Sequence, residues 1–287
     1  GFGFIGRFLT QQLFESGDSV LLLDVARDDA FLERLDGDVE ALRGSVANWA
    51  DVMEAFMAFK PERIFHSGAL LPPASESSPY TSFQVNIAGT FNVLEAARLC
   101  GVPQVVYASS VASYGPDAPS DLVPNEFSQH PTGFYGVSKV CSERMGEYYW
   151  RRYGLDFRGV RFPPIFGPGR AASSGWTAYT SLAIEEPARA RPYALKVEPG
   201  TATGVLYVRD AARSLIDVSN GDNARLTSRA YNVHGYVVTA QELADAVKKE
   251  MPEAQVAFEP DPQVTTFVKS IPRQLDDSLA KSDWDWQ

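Results

Sequence analysis

Three observations predict a doubly wound α/β fold, a parallel sheet covered by helices with a small C-terminal lobe over its carboxyl edge. Short apolar runs of strand length alternate with amphipathic stretches of helical period. Gly1, Gly3 and Gly6 have the spacing G-x-G-x-x-G and open directly into a helical stretch. The apolar run that follows, residues 20–23, ends on an acid, Asp24.

Taken in order, strands are expected over residues 20–23, 63–66, 104–108, 156–161 and 230–233, with a weaker one over 40–43. Helices are expected over 5–15, 48–59, 82–99, 135–153 and 210–219. In 82–99, Val85, Val93, Leu94 and Ala97 recur at helical spacing. Residues 162–170 are rich in Pro and Gly and predict no regular element. From there to residue 204 the chain reads as irregular, apart from a helical stretch over 178–185. A further helix is expected over 239–250, before a tail punctuated by prolines. This divides the chain into a dinucleotide-binding domain, 1–165 with 205–235, and a substrate lobe, 166–204 with 236–287.

The 287 residues are 45% hydrophobic, enough for a large core. A net charge of −10 argues against nucleic acid or an anionic membrane as partner. Cys100 and Cys141 have no neighbour at metal-ligand spacing, so no metal site is expected. No apolar run is long enough to cross a bilayer and no signal peptide is visible, so a cytoplasmic location is the default expectation. The chain opens inside a glycine loop. A natural protein is expected to carry roughly five to ten residues before Gly1, forming a strand of ordinary length.

The glycine loop suits a pyrophosphate, because glycine lets backbone approach it and a helix N-terminus offers free N–H groups and positive dipole. Asp24, at the end of the next strand, suits the two hydroxyls of an adenosine ribose and repels the extra phosphate of NADP. NAD is therefore the expected cofactor, with Arg27 read as a solvated surface charge. Tyr135 and Lys139 lie four apart in a helical stretch and share a face. A tyrosine loses its proton near pH 10, and a neighbouring ammonium and a cationic nicotinamide ring are both expected to lower that value. The phenol can then exchange a proton with an alcohol or carbonyl. Ser110, just past the strand over 104–108, is placed to hold the same substrate oxygen.

At this point the sequence resembles a known family. Ser109-Ser110-Val-Ala-Ser-Tyr114-Gly115 and Tyr135-Gly-Val-Ser-Lys139 resemble the catalytic segments of the extended short-chain dehydrogenases, the NAD-dependent epimerase/dehydratase family with a Rossmann fold. His66-Ser-Gly-Ala69, the helix from Asn86 through Gly89, Thr90 and Asn92, Arg161-Phe-Pro-Pro-Ile-Phe-Gly167-Pro168 and Tyr207-Val-Arg-Asp210 agree along nearly the whole chain. The resemblance implies that Tyr135 donates or accepts the proton, Lys139 binds ribose and tunes Tyr135, and Ser110 holds the substrate oxygen. It implies cofactor contacts from the loop residues Gly1, Gly3, Phe4, Ile5 and Gly6, and from Asp24. It adds Ser45, Val46, Ser67, Gly68, Ala69 and Phe162, with Asn86 lining or bracing the site. Segments such as 109–119, 146–149 and the tail Pro272-Arg-Gln-Leu-Asp-Asp-Ser278 are similar to short-chain-type L-threonine dehydrogenases.

The sequence also departs from these patterns. Ser45 stands where the family often has Asp near adenine. Val111-Ala112 replace the Asp-Glu pair of sugar-nucleotide dehydratases, and Pro164 an asparagine common among sugar-nucleotide enzymes. Thr203 stands in for an arginine that grips a nucleotide diphosphate, so a charge-assisted contact is lost. The Gly- and Thr-rich pocket segment of the threonine enzymes is replaced by Ala171-Ala-Ser-Ser-Gly-Trp-Thr177. Substrate contacts are expected from Ser110, Tyr135, Arg170, Ser174, Trp176 and Thr177. The leading reading is an NAD-dependent oxidoreductase acting at a secondary alcohol or ketone of a small polar molecule. A sugar or nucleotide-sugar epimerase and a non-catalytic NAD-binding protein remain open. A homodimer through the helices over 82–99 and 135–153 is expected by analogy of fold.

Overall fold

A computed structural model describes residues 1–35, 37, 39–170 and 175–287. Helix α1 (Phe4–Glu15) leaves the glycine loop and is followed by β1 (Val20–Asp24) and β2 (Val39–Arg43), which pair in parallel. Helix α2 (Trp49–Phe59) starts where the Asn48 side chain accepts from Ala50 N–H, and stops at Lys60 in the left-handed region at φ 51°. Strands β3 (Arg63–His66), β4 (Gln104–Ser110), β5 (Asp156–Phe162) and, further on, β9 (Ala230–Asn232) form one parallel set in the order β3-β4-β5-β9. Helices α3 (Gly89–Cys100) and α4 (Phe134–Tyr153) connect the first three of these, and α4 ends on Gly154 at φ 72°. A cleft of about 1750 Å³ runs beside the glycine loop, lined by residues of both β1 and β3.

All but the last residue of β4 are buried. That is why its middle, residues 105–108, is an unbroken apolar run rather than an alternation: helices cover both of its faces. One core packs Leu9 and Leu13 of α1 with Ala211, Leu215 and Val218 of a later helix against Val106 and Val160. The other packs Val52 and Phe56 of α2, Val93 and Leu94 of α3 and Tyr149 of α4 against Val105 and Phe157. Helices therefore cover the sheet on two faces, as the alternating pattern predicts.

Two features depart from the expected elements. The helix over 82–99 is preceded by a π-helical turn, Phe83–Ala88, before the α-helix proper begins at Gly89. The stretch from residue 162 to 204 is not irregular throughout. It holds β6 (Ile165–Phe166), helix α5 (Tyr179–Ala188), β7 (Tyr193–Leu195) and the start of β8 (Ala202–Tyr207). Strand β8 pairs with β6 in parallel and with β10 (Tyr236–Thr239) in antiparallel fashion. Strand β7 pairs with β11 (Val256–Phe258). These strands are two to six residues long and find their partners far along the chain, so no local period announces them.

Helix α6 (Val208–Asn220) supplies the later residues of the first core. Helix α7 (Ala240–Glu250) carries a reciprocal cap between Thr239 and Glu242. The tail forms α8 (Pro262–Ser270) and α9 (Ser278–Trp284), and α9 returns to the large sheet, where Ala280, Trp284 and Trp286 join the first core. Among the described residues, no helix is long and apolar enough to cross a membrane.

Candidate active site

The candidate site lies where the carboxyl ends of the parallel strands meet the glycine loop, the place an open α/β sheet offers a ligand. The loop is closed by contact of glycine with glycine: a Cβ on Gly6 would stand 2.0 Å from the Gly1 carbonyl oxygen. A Cβ on Gly3 would meet no protein atom within 4 Å and would fill the cleft instead. Helix α1 has no side-chain cap, so its first N–H groups are left for a ligand. Asp24 accepts from Phe2 N–H at 2.8 Å and from Ala26 N–H at 3.0 Å. Burial works to raise its carboxyl, but these N–H donors hold it below the usual carboxylate range.

Ser45, Val46, Ser67, Gly68 and Ala69 line the same cleft as Gly1, Gly3, Gly6 and Asp24. Gly3, Gly6, Ser67 and Ala69 also line a second cavity of about 380 Å³, together with Phe4, Ile5, Phe162, Ser110, Tyr135 and Lys139. The two cavities meet at Gly3, Gly6, Ser67 and Ala69, with the acid Asp24 on the wall of the first and Tyr135 on that of the second. An acid, an uncapped helix N-terminus behind a glycine loop and a buried Tyr–Lys pair along one groove fit a dinucleotide.

Asn86 lines neither cavity. The π turn aims it inward, where it accepts from Leu70 N–H at 2.7 Å and donates to the Leu70 carbonyl at 3.0 Å. It also donates to Ser82 Oγ and Ser138 Oγ. It braces the loop after β3 against α4. His66 is buried, with its Nε2 3.1 Å from Thr90 Oγ1, and desolvation drives its pKa down to about 3, so it stays neutral. Ser45 donates its N–H to Asp51 at 2.8 Å, and the departure at this position leaves a hydroxyl rather than a carboxylate on the cleft wall.

At the other end, Tyr135 and Lys139 sit in the first turns of α4, and Ser110 ends β4. Lys139 is buried, donates to the Ala108 carbonyl at 2.6 Å, and stands 5.4 Å from the centre of the Tyr135 ring. The expected lowering of Tyr135 counts on a cationic nicotinamide ring as well as the ammonium, and the protein's own groups act the other way. Desolvation pushes the phenol up to about 12, outweighing a hydrogen bond from Ser110 and the charge of Arg170. Lys139 is itself desolvated, to about 7, against the opposing charge of Glu143, and so is a weaker cation than the spacing alone suggests.

The sign of that lysine shift gives a stability prediction. Between about pH 7 and the ordinary lysine value the unfolded chain holds the proton and the folded chain does not. Lys139's contribution to stability therefore rises with pH across that window, by up to about 1.4 kcal/mol per pH unit. Lys139→Met should flatten this rise, read from urea midpoints at pH 7 and pH 9. An unchanged slope would show that Lys139 is not desolvated.

Arg170 is buried and donates to the Ile165 carbonyl, the Thr177 carbonyl at 3.2 Å and Thr177 Oγ1 at 2.8 Å. Arg170, Trp176 and Thr177 all line the second cavity with Ser110 and Tyr135. Ser174 lies outside the described residues.

Residues 1–233 match the family described as NAD dependent epimerase/dehydratase. The chain belongs to that family. It is 32% identical over 272 residues to the mitochondrial L-threonine 3-dehydrogenase of Bos taurus, covering 94% of this chain and 71% of the relative. The holo form of a GalE-like L-threonine dehydrogenase from Cupriavidus necator superposes with a TM-score of 0.92 at 26% identity, over 100% of this chain and 92% of that one. An L-threonine dehydrogenase from Phytophthora infestans gives 0.90 at 28%, over 99% and 91%. The protein is thus an NAD-dependent enzyme of the extended short-chain type with a Rossmann fold.

Several residues around this family site escape sequence reasoning. Leu71, Pro72, Phe267 and Ile271 line the second cavity from a loop and from the tail. Glu76 accepts from Phe134 N–H at 2.9 Å and Tyr135 N–H at 3.0 Å. It caps α4 from 59 residues away, where the helix's own N-cap, Gly133, has no side chain to do so. Glu76→Ala should cost about 1 kcal/mol, the usual worth of a cap. It should also lower turnover, because Tyr135 lies in the capped turn. Urea unfolding and steady-state rates of the variant check both, and unchanged values in both would remove Glu76 from the site.

Proposed function

We propose that this enzyme interconverts a secondary alcohol and its ketone in a small polar molecule, with Ser110, Tyr135 and Lys139 as its reacting centre. The observation that carries this is the convergence of the Ser110 hydroxyl, the Tyr135 phenol and the Lys139 ammonium on one cavity, contiguous with the dinucleotide groove. NAD, when bound, supplies the hydride acceptor and a positively charged ring beside the phenol. Ser110 and Tyr135 hold the substrate oxygen. The hydroxyl proton passes to Tyr135 as the carbinol hydrogen leaves with its electron pair, and the carbonyl forms. A phenol held up near 12 keeps its proton readily, which suits ketone reduction, where it donates. Lys139 serves the cofactor ribose and, with the positive ring, favours the phenolate needed for oxidation.

The test is NADH formation from NAD and a panel of hydroxy acids, amino alcohols, sugars and nucleotide sugars, with threonine included because relatives are named for it. Accumulating NADH supports the dehydrogenase. Inverted product without NADH would instead mark an epimerase. We also propose a homodimer. Tyr80, Phe83, Phe91 and Leu99, in and before α3, and Val137 and Tyr148, on α4, are exposed apolar residues. Phe91→Asp should convert the dimer to monomer in sedimentation, and a wild-type monomer would end this reading.

A further inference from the structure

The apolar side chains of the second cavity narrow the substrate. Its 380 Å³ suits a small molecule, with Ser110, Tyr135 and Lys139 on its wall. Leu71, Pro72, Trp176, Phe267 and Ile271 line it as well. They come from three separate segments of the chain, and those segments touch. The Trp176 ring meets the Phe267 ring edge-on, with centres 4.7 Å apart. Gly175, at φ 95°, lies against Pro72: a Cβ there would stand 2.7 Å from the Pro72 carbonyl oxygen. Phe267, on α8, is backed by a core that includes Leu195, Ala244 and Val268. Thr177, next to Trp176, is held by the Arg170 guanidinium at 2.8 Å. These contacts fix an apolar wall beside the reacting hydroxyls.

Trp176, Phe267 and Ile271 are only half-buried, and Leu71 is 41% exposed. Apolar side chains in that state gain when a ligand takes their remaining surface from water. A hydroxyl set against Leu71, Phe267 or Ile271 would instead lose its water without a partner in return. An aromatic group gains through burial and through edge-on packing with the two rings. We propose that the substrate of this site carries a phenyl-sized apolar group on its carbinol carbon, seated against Trp176 and Phe267, with the alcohol oxygen at Ser110 and Tyr135. The rest of the molecule supplies its polarity. The methyl on the carbinol carbon of threonine, for which relatives are named, would leave this wall largely uncovered. Oxidation balances with NAD as the oxidant. The carbinol carbon gives a hydride to NAD, the hydroxyl proton goes to Tyr135 and onward to solvent, and the apolar group is unchanged. The inference rests on the reading of Ser110 and Tyr135 as the pair that holds the reacting oxygen.

The test uses neutral probes that differ in one group. Styrene glycol, propylene glycol and glycerol carry phenyl, methyl and hydroxymethyl groups on the same carbinol carbon. Binding of each to the NAD-loaded protein is followed by calorimetry, and turnover by NADH formation. Styrene glycol should bind at least about tenfold more tightly than propylene glycol, about 1.4 kcal/mol, and glycerol should bind most weakly. Trp176→Ala and Phe267→Ala should each narrow that ratio, and Trp176→Phe should keep most of it. If the alanine variants lose NAD binding through misfolding, the wild-type order still decides. Propylene glycol or glycerol binding as tightly as styrene glycol, or no saturable binding of styrene glycol, would overturn the proposal. So would the full ratio surviving in alanine variants that still bind NAD. The two readings fail separately. The expected binding order without NADH from any probe sinks the dehydrogenase and leaves the apolar seat. NADH formed best from glycerol or propylene glycol does the reverse.

Discussion

Replacing Tyr135 by phenylalanine is expected to lower turnover by about 10²- to 10⁴-fold, the usual worth of a general acid–base group, while NAD affinity stays nearly unchanged. The substitution removes one oxygen. The ring that faces the Lys139 ammonium at 5.4 Å remains, and the lysine's hydrogen bond to the Ala108 carbonyl does not involve the phenol. The dinucleotide groove is therefore left as it was. Ser110→Ala should fall short of this loss, because it deletes one hydrogen bond to the reacting oxygen and leaves the proton carrier in place. Lys139→Ala should weaken both NAD binding and turnover, since its ammonium faces groove and phenol together. The measurements are cofactor titration and NADH formation for each variant on one accepted substrate. Near-normal turnover by Tyr135→Phe would remove the phenol from the mechanism, however well Tyr135 and Lys139 match the family pattern.

What was legible in the sequence is what local spacing encodes. Gly1, Gly3 and Gly6 specify a loop because three neighbours in one turn decide whether backbone can close on itself. Tyr135 and Lys139 declare a shared face because four residues make about one helical turn. Asp24 is readable because the apolar run before it is continuous and stops there. Glu76 reaches α4 across 59 residues of sequence, and neither its type nor its neighbours single it out. Phe267 and Ile271 arrive at the cavity from a tail that reads as loop, since its helices are short and separated by prolines. For Asn86 the sequence left lining and bracing both open, because only the π turn, a local change of helical pitch, points it at Leu70. Tyr135 shows the same limit in electrostatics. Spacing reveals which charge is nearby, but not how much water has been removed from both groups.

The second large effect is expected at Arg161. Its guanidinium meets Glu143 at 3.0 and 2.8 Å, and also donates to the Tyr114 hydroxyl at 3.0 Å and the Asn125 carbonyl at 2.8 Å. The side chains of the pair are 6% and 2% exposed, so neither charge can turn to water when its partner is lost. Glu143 also accepts from Ser109, next to Ser110, and from Gln129 at 3.0 Å, and lies one turn from Lys139. Arg161→Met should cost about 3–5 kcal/mol, the range for removing one partner of a buried pair. Glu143 gives the pH signature. Burial works to raise its carboxyl, but Arg161 and the other donors hold it below the usual range in the wild type. Its contribution is therefore present above the unfolded value and lost as pH falls through the lower folded one. Without Arg161 the carboxyl should rise above its unfolded value, because burial then prevails. The folded variant would take up a proton more readily than its unfolded chain, so its stability deficit should shrink between pH 7 and pH 5. The double variant Arg161→Met with Glu143→Gln should recover much of the loss, since the stranded charge is gone. Urea midpoints of the two single variants and the double variant at both pH values close the cycle. Strictly additive losses, or a deficit that does not shrink with acid, would mean that packing around Arg161, and not the pair, holds the end of β5 against the middle of α4.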